Sequence, residues 1–196
     1  MQARSEETRA RILANALTRF GQQGYDATGV AEICAAAAVS KGAFYHHFDS
    51  KQAVFLRLLE DWLRALDADL SGALAEAPNV TEGLLGMAAR ARDVFSSADG
   101  RLAIFLEFWA QARKDPEVWR KVIEPFRRYR ETFAAIVRRG MEEGTLRAVD
   151  PDLAALALVS LAVGIVMQGL FDPRGAEWDR VAQDAVRLMI EGMGRT

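Results

Sequence analysis

Residues 41–47, KGAFYHH, bring a lysine, a tyrosine and both histidines of the chain onto one short segment. If this segment is a helix, Phe44 and Phe48 lie four residues apart on its inward face, whereas Lys41 and Tyr45 point outward. A lysine can donate to the edge of a guanine, and a tyrosine hydroxyl can bind a phosphate or contact a thymine methyl. The alternative for each is an ordinary solvated side chain. The chemistry that these residue types indicate is therefore recognition of a DNA major groove.

Two helices joined by a tight turn must position these side chains. The hydroxyl of Thr28 can accept a free N–H group at the start of the first helix, with capping alone as the alternative to a phosphate contact. Ser40 is the predicted N-cap of the second helix. Lys51 opens the helix that follows, where an ammonium group and backbone N–H groups can hold a phosphate together. The predicted DNA-binding residues are Thr28, Ser40, Lys41, Gly42, Ala43, Tyr45, His47 and Lys51.

This segment resembles the TetR family of bacterial transcriptional regulators. The residues that carry the resemblance are Thr28, Ile33, Val39-Ser40-Lys41-Gly42, Phe44-Tyr45, His47-Phe48 and Lys51. His47 matches the phosphate-contacting position of that family, and His46 does not. The pattern departs from the family at Ala38, where glycine is usual, and at Gly29 and Ala31, where a hydroxyl and a basic residue are common. If the turn needs a positive φ, alanine at position 38 costs roughly 1 kcal/mol more than glycine.

The composition is ordinary for a soluble globular protein, with 196 residues, 51% apolar and 27% charged. The net charge of −2 gives little support to nucleic-acid binding by itself. A single cysteine, Cys34, excludes an intramolecular disulfide and lies on a predicted apolar face. We therefore expect a small buried hydrophobic residue there, with a redox switch as the alternative. The start of the chain has no secretory signal pattern, which predicts a cytoplasmic protein.

No catalytic constellation, dinucleotide fingerprint or phosphate-binding glycine loop stands out in the sequence. His46 and His47 are adjacent, so on a helix they point about 100° apart and make a poor metal site. We therefore predict a protein that is not an enzyme and that uses no metal and no cofactor.

Helical periodicity runs nearly from end to end, which predicts an all-α fold of about nine helices. We expect a helix-turn-helix domain in residues 1–50 and an effector-binding and dimerisation domain in residues 51–196. A helix of about 25 residues beginning near residue 50 would connect the two. Pro125 falls within a predicted helix and should kink it. The predicted helices outside the helix-turn-helix are residues 6–21, 50–75, 80–97, 101–114, 116–143, 150–171 and 176–193.

Residues 153–171 contain no charged side chain and are long enough to span a membrane. Their many small residues, the polar Ser160 and Gln168, and the lack of anchoring residues on both flanks favour a helix buried in a dimer. The last helix supplies a matching apolar stripe, so two helices from each chain would form a four-helix interface. The predicted dimerisation residues are Leu156, Ser160, Leu161, Gly164, Val181, Ala185 and Leu188.

The middle helices are rich in aromatic residues and methionine, most of which belong to an ordinary core. The resemblance implies that some of them enclose a small apolar or amphipathic ligand. Glu107 and Gln168 interrupt apolar runs, so each is exposed, paired or placed to orient a ligand. The predicted ligand-binding residues are Trp62, Met87, Phe105, Glu107, Trp109, Phe126, Met167 and Gln168.

These features predict a TetR-type repressor that binds a palindromic operator as a homodimer and is released by a small molecule. The alternative is a ligand-binding or scaffolding helical dimer whose DNA binding has degenerated. The predicted partners are operator DNA, an effector and a second copy of the chain, without a membrane.

Overall fold

The computed structural model describes residues 2–90 and 101–193, with the side chains of residues 4–90 and 106–193. The fold is all-α, as predicted, and nine helices lie within the described residues. They are α1 (Gln2–Gln23), α2 (Val30–Ala36), α3 (Lys41–His47), α4 (Lys51–Glu76), α5 (Val80–Ala89), α6 (Arg101–Ala112), α7 (Pro116–Glu142), α8 (Pro151–Phe171) and α9 (Trp178–Met193). Residues 91–97 of the predicted 80–97 helix lie outside the described part.

The helix ends follow local signals, with corrections at α1 and α2. Helix α1 begins at Gln2 rather than at residue 6, and it runs through Gly21 to end before Gly24, whose φ is +84°. The predicted cap of α2 at Thr28 is wrong, because the N-cap is Gly29. The backbone N–H of Gly29 donates to the carboxylate of Glu32 at 2.7 Å, so the N3 side chain caps this helix.

Contacts divide the chain into two compact units. Unit 1 comprises Met1–Arg64 and Ser97–Val122, and therefore holds α1–α3, α6 and the first parts of α4 and α7. This unit extends beyond the boundary that the sequence predicts after residue 50. Its core is built by side chains from several of these helices: Ile12, Ala16, Phe20, Ile33, Cys34, Phe44, Phe48, Val54, Phe55 and Phe108. Cys34 is buried among them, as expected for a small hydrophobic residue.

Unit 2 comprises Ala65–Ser96 and Ile123–Thr196. Its core joins α5 and the second part of α7 with α8 and α9. The buried members are Val80, Leu84, Ile136, Val137, Leu146, Ala154, Leu158, Ile190 and Met193. Asp150 caps α8 by accepting from the N–H groups of Asp152 and Leu153, and Pro151 occupies the first turn, as the sequence predicts. Pro125 lies inside α7, and the predicted kink stays a prediction.

Helix α8 is long and apolar enough to cross a membrane by length and composition alone. Only 28% of its most apolar window is buried within the protomer. Leu153, Leu156 and Phe171 are among the most exposed large hydrophobic side chains of the described residues. An apolar helix that the protomer covers so incompletely indicates an interaction surface.

Candidate DNA-binding site

The turn between α2 and α3 is closed by the backbone itself. The N–H of Val39 donates to the carbonyl oxygen of Cys34 at 3.0 Å, the hydrogen bond that closes a Schellman-type helix end. This geometry places Ala38 in the left-handed region, with φ +51°. The turn therefore does need a positive φ where the sequence carries alanine instead of the usual glycine. The strain of roughly 1 kcal/mol is borne by the surrounding packing.

Helix α3 is anchored on one face and exposed on the other. The hydroxyl of Ser40 accepts from the N–H of Ala43 at 3.1 Å, which confirms Ser40 as the N-cap. Phe44 and Phe48 are buried, and their rings lie 6.1 Å apart. Tyr45 is 52% exposed, and Lys41 and Gly42 are exposed as well. The predicted orientation of this helix is confirmed, and its first turn presents a lysine and small residues to solvent, as a major-groove contact requires.

The end of α3 collects cationic and aromatic groups. The imidazole rings of His46 and His47 lie 5.1 Å apart, and the guanidinium of Arg9 lies 5.7 Å from the centre of the Phe48 ring. Loss of hydration, and to a smaller extent the nearby charges of His46 and Arg9, lower the pKa of His47. Arg9 is not among the predicted contacts. The guanidinium group of Arg9 is near enough to His47 to help lower its pKa. It adds N–H donors to the side of α3 that the sequence assigns to phosphate.

Thr28 does not reach the surface. Its side chain is fully buried, and its hydroxyl donates to the carbonyl oxygen of Gly24 at 2.7 Å. The hydroxyl also accepts from the amide of Gln23 at 3.3 Å. The predicted phosphate contact is therefore wrong for this side chain, which instead closes the α1–α2 turn. The Thr28 hydroxyl gives the Gly24 carbonyl oxygen a hydrogen-bond partner just after the end of α1, where carbonyl groups have none within the helix.

Lys51 is also directed at this turn. Its ammonium group donates to the carbonyl oxygens of Tyr25 at 2.7 Å and Thr28 at 2.9 Å. It also lies 4.2 Å from the centre of the Tyr25 ring, which is within cation–π range. Three N–H groups are available on a lysine, and two of them are used by the backbone. The predicted phosphate contact has to compete with these partners.

Residues of α6 and the turn after it complete the polar contacts of the α1–α2 turn. The carboxylate of Glu107 accepts from the backbone N–H of Tyr25 at 3.0 Å. Asp26 accepts from Gln111 at 3.2 Å and from the ammonium of Lys114 at 2.5 Å. This hydrogen bond from Lys114 is the main reason why the pKa of the Asp26 carboxyl is lowered. Sequence reasoning missed Tyr25, Asp26, Gln111 and Lys114; the spacing of polar residues at 107, 111 and 114 was the available signal.

The predicted ligand-binding residues are spread over both units. Trp62, Glu107 and Trp109 lie in unit 1, whereas Met87, Phe126, Met167 and Gln168 lie in unit 2. The side chain of Phe105 lies outside the described part of the chain. Met87 packs against the core of unit 2, and Gln168 is exposed. Because the Glu107 carboxylate already holds a backbone N–H, this residue is a poor candidate for orienting a ligand; the ligand pocket stays a prediction.

The predicted dimerisation residues lie at the surface of unit 2. Leu188 on α9 is 72% exposed, and Leu156 and Ser160 on α8 are also exposed. The remaining four, Leu161, Gly164, Val181 and Ala185, are partly exposed. A Cβ at Gly164 would meet nothing within 4 Å, so this position offers open space beside the helix. All seven predicted residues are thus at least partly open to solvent within the protomer, and their role in a dimer stays a prediction.

Comparison with known families gives two matches along the chain. Residues 12–58 match the family described as "Bacterial regulatory proteins, tetR family". Residues 88–193, just over half of the chain, match the family described as "BetI-type transcriptional repressor, C-terminal". Among curated proteins, the chain is 26% identical to the HTH-type transcriptional regulator UidR of Escherichia coli K12, over 98% of this chain and 96% of UidR.

Solved structures are similar over nearly the whole length. The TetR family transcriptional regulator PfmR of Thermus thermophilus is 31% identical, with a TM-score of 0.75 over 94% of this chain and all of PfmR. A transcriptional regulator of Saccharomonospora viridis in complex with choline shares the fold at 22% identity, with a TM-score of 0.84 over 97% of this chain and all of that one. Together with the buried anchors and the exposed face of α3, these matches show that the chain belongs to the TetR family of helix-turn-helix, DNA-binding transcriptional regulators, which are not enzymes.

Proposed function

We propose that this protein is a repressor that binds a palindromic operator as a homodimer and is released by a small apolar or amphipathic ligand. The geometry of α3 carries the DNA-binding part of the proposal. Ser40 caps the helix, Phe44 anchors it, and Tyr45 is exposed. Lys41, Gly42, Ala43 and Tyr45 contact base edges, while Ser40 and His47 hold phosphates. Such a protein acts where the DNA is, in the cytoplasm.

The dimer follows from the incomplete burial of α8 and α9. Leu156 and Leu188 are large apolar side chains that a monomer leaves in water, at a cost of about 25 cal/mol for each Å² of apolar surface. A two-fold interface that covers both helices removes this cost. It also supplies two copies of α3, and these read a palindrome when they are separated by roughly 34–36 Å.

Release by a ligand is supported by the apolar and aromatic content of the middle helices and by the match to a repressor-type C-terminal family. The structure that is similar in fold and contains choline supports a small effector. At 22% sequence identity, it does not identify the effector of this protein. The residues that enclose this ligand stay a prediction from the sequence. A coupling of about 1–3 kcal/mol between ligand and DNA suffices, because it changes operator affinity by roughly 5–150-fold.

The decisive experiment is a titration of the protein with the intergenic DNA upstream of its own gene, at two salt concentrations and against scrambled DNA. Wild-type protein should prefer the intergenic fragment, and Tyr45→Ala should abolish that preference. Tyr45→Phe keeps the ring and removes only the hydroxyl, so its affinity separates the contribution of the hydroxyl from that of the ring. Equal affinity for both DNAs would contradict regulation from this site.

A degenerate DNA-binding domain is the second candidate. It is favoured by the strained Ala38 and by Gly29, which has no side chain to contact a phosphate. The slope of the logarithm of the binding constant against the logarithm of the salt concentration, the salt slope, separates the two candidates. A functional domain that makes several phosphate contacts gives a slope of roughly −0.9 for each contact, whereas a degenerate one gives weak binding with a shallow slope.

A further inference from the structure

The α1–α2 turn, residues 24–28, is held by side chains that are distant in sequence. Glu107 on α6 accepts from the Tyr25 N–H at 3.0 Å. The same carboxylate packs against the bare Cα of Gly24, since a Cβ at that position would lie 3.3 Å from its Oε1 atom. Gly24 also has a positive φ, so both its conformation and its surroundings disfavour a larger residue. The turn therefore requires glycine at position 24, and the Glu107 carboxylate fills the space that a side chain there would need.

Gln111 strengthens the same attachment. It lies one helical turn after Glu107, so the two side chains share a face of α6. Gln111 is only 7% exposed, and its amide donates to Asp26 at 3.2 Å. A buried amide without a partner is costly, so this hydrogen bond is expensive to lose. The exposed pair of Lys114 and Asp26 contributes less, because solvent screens it.

Aromatic packing joins α6 to the same turn. The ring of Tyr25 lies 4.6 Å from that of Phe55 on α4, and Phe55 lies 4.6 Å from Phe108 on α6. Lys51 secures the other side of the turn through the carbonyl oxygens of Tyr25 and Thr28. The turn leads directly into α2, whose N-cap is Gly29. Its position consequently sets where the α2–α3 pair begins.

We propose that Glu107 and Gln111 are positioning residues for DNA binding: by fixing the α1–α2 turn to α6, they set the placement of α2 and α3. Both lie outside residues 12–58, the part that matches the N-terminal family. The DNA-binding unit of this protein thus includes α6. It follows that substitutions of these α6 residues change operator affinity although the residues themselves do not contact DNA.

Operator affinity of full-length variants tests this assignment. The probe is a DNA duplex selected by the wild-type protein from a random-sequence pool, titrated well below the melting temperature. Glu107→Ala should weaken binding by about tenfold or more, as expected for the loss of a hydrogen bond to a charged group. Glu107→Gln should recover much of the affinity, because its amide oxygen can still accept from Tyr25. Glu131→Ala, at an exposed position of α7, is the matched control and should bind normally.

Two further readouts separate positioning from other roles. The salt slope of Glu107→Ala should equal that of wild type, since no phosphate contact is removed. Amide hydrogen exchange should accelerate at residues 24–36 in this variant while the core helices of unit 2 keep their protection. A lower melting temperature with unchanged affinity of the folded protein would overturn the proposal, and so would unchanged exchange at these residues.

Discussion

The ammonium group of Lys51 donates to the carbonyl oxygen of Tyr25 at 2.7 Å and lies 4.2 Å from the centre of the same residue's ring. One lysine thus binds both the backbone and the side chain of the residue that α6 holds from the other side. The first residue of α4 therefore stabilises the α1–α2 turn, a role that its position at the start of a helix does not reveal.

Lys51→Met should lower the free energy of unfolding by about 2 kcal/mol, because two carbonyl groups lose a charged donor. It should weaken DNA binding with little change in the salt slope. Urea unfolding and titration at several salt concentrations measure the two effects. A slope that becomes shallower by roughly 0.9 would instead indicate that Lys51 holds a phosphate.

Ala38→Gly should stabilise the protein by about 1 kcal/mol, because the φ of +51° is strained for alanine and free of strain for glycine. Urea unfolding measures the difference. The matched control is Ala35→Gly in the last turn of α2, where a helical φ makes glycine unfavourable by up to about 1 kcal/mol. Equal effects of the two substitutions would contradict the strain.

His47 should make DNA binding depend on pH. Its lowered pKa keeps the imidazole neutral in the free protein near pH 7, and a DNA phosphate favours the protonated form. Binding then takes up a proton, so affinity should rise as the pH falls from about 7.5 to 6, through the region where histidine titrates. The neighbouring groups that help to lower the pKa of His47 are His46 and Arg9.

His47→Asn should flatten this pH profile, whereas His46→Asn should keep most of it. The free protein should show the opposite trend in stability. A histidine whose pKa is lowered by folding destabilises the folded state as the pH falls below the unfolded value of about 6.5. A wild-type affinity that does not vary over this pH range would exclude a phosphate contact by His47.

Leu188→Glu should convert the proposed dimer into a monomer. Leu188 is 72% exposed on α9, so the substitution costs the protomer little but places a charge in an apolar interface. Sedimentation equilibrium measures the mass. Arg187→Glu, on the polar side of the same helix, introduces the same side chain and should leave the dimer intact. Dissociation of both variants, or of neither, would place the interface elsewhere.

Gly140→Ala should destabilise the protein by about 1–3 kcal/mol through overpacking. A Cβ at this position would lie 2.7 Å from Cδ1 of Leu146 and 3.0 Å from Cγ1 of Val80, both in the core of unit 2. Gly192→Ala is the control, since its Cβ would meet nothing within 4 Å and alanine favours the helix. In thermal unfolding, the melting temperatures of the two variants should shift in opposite directions.

Local sequence signals are sufficient for the elements of the DNA-binding site. Ser40, Phe44 and Phe48 act within one helix and its cap, and such local preferences depend on residues at most four positions apart. The same holds for the Asp150-Pro151 start of α8. The positive φ at Ala38 was foreseeable for the same reason, because a tight turn between two helices imposes it on whichever residue stands there.

The roles of Thr28, Lys51 and Glu107 depend instead on the tertiary fold. Each is a sequence candidate for DNA or ligand because its chemistry suits such a partner, and each turns toward the backbone of the α1–α2 turn instead. The hydrogen bond between Glu107 and Tyr25 spans 82 residues. A polar side chain takes whichever unsatisfied backbone group lies within reach. That neighbour is set by the packing of distant helices, which local sequence patterns do not encode.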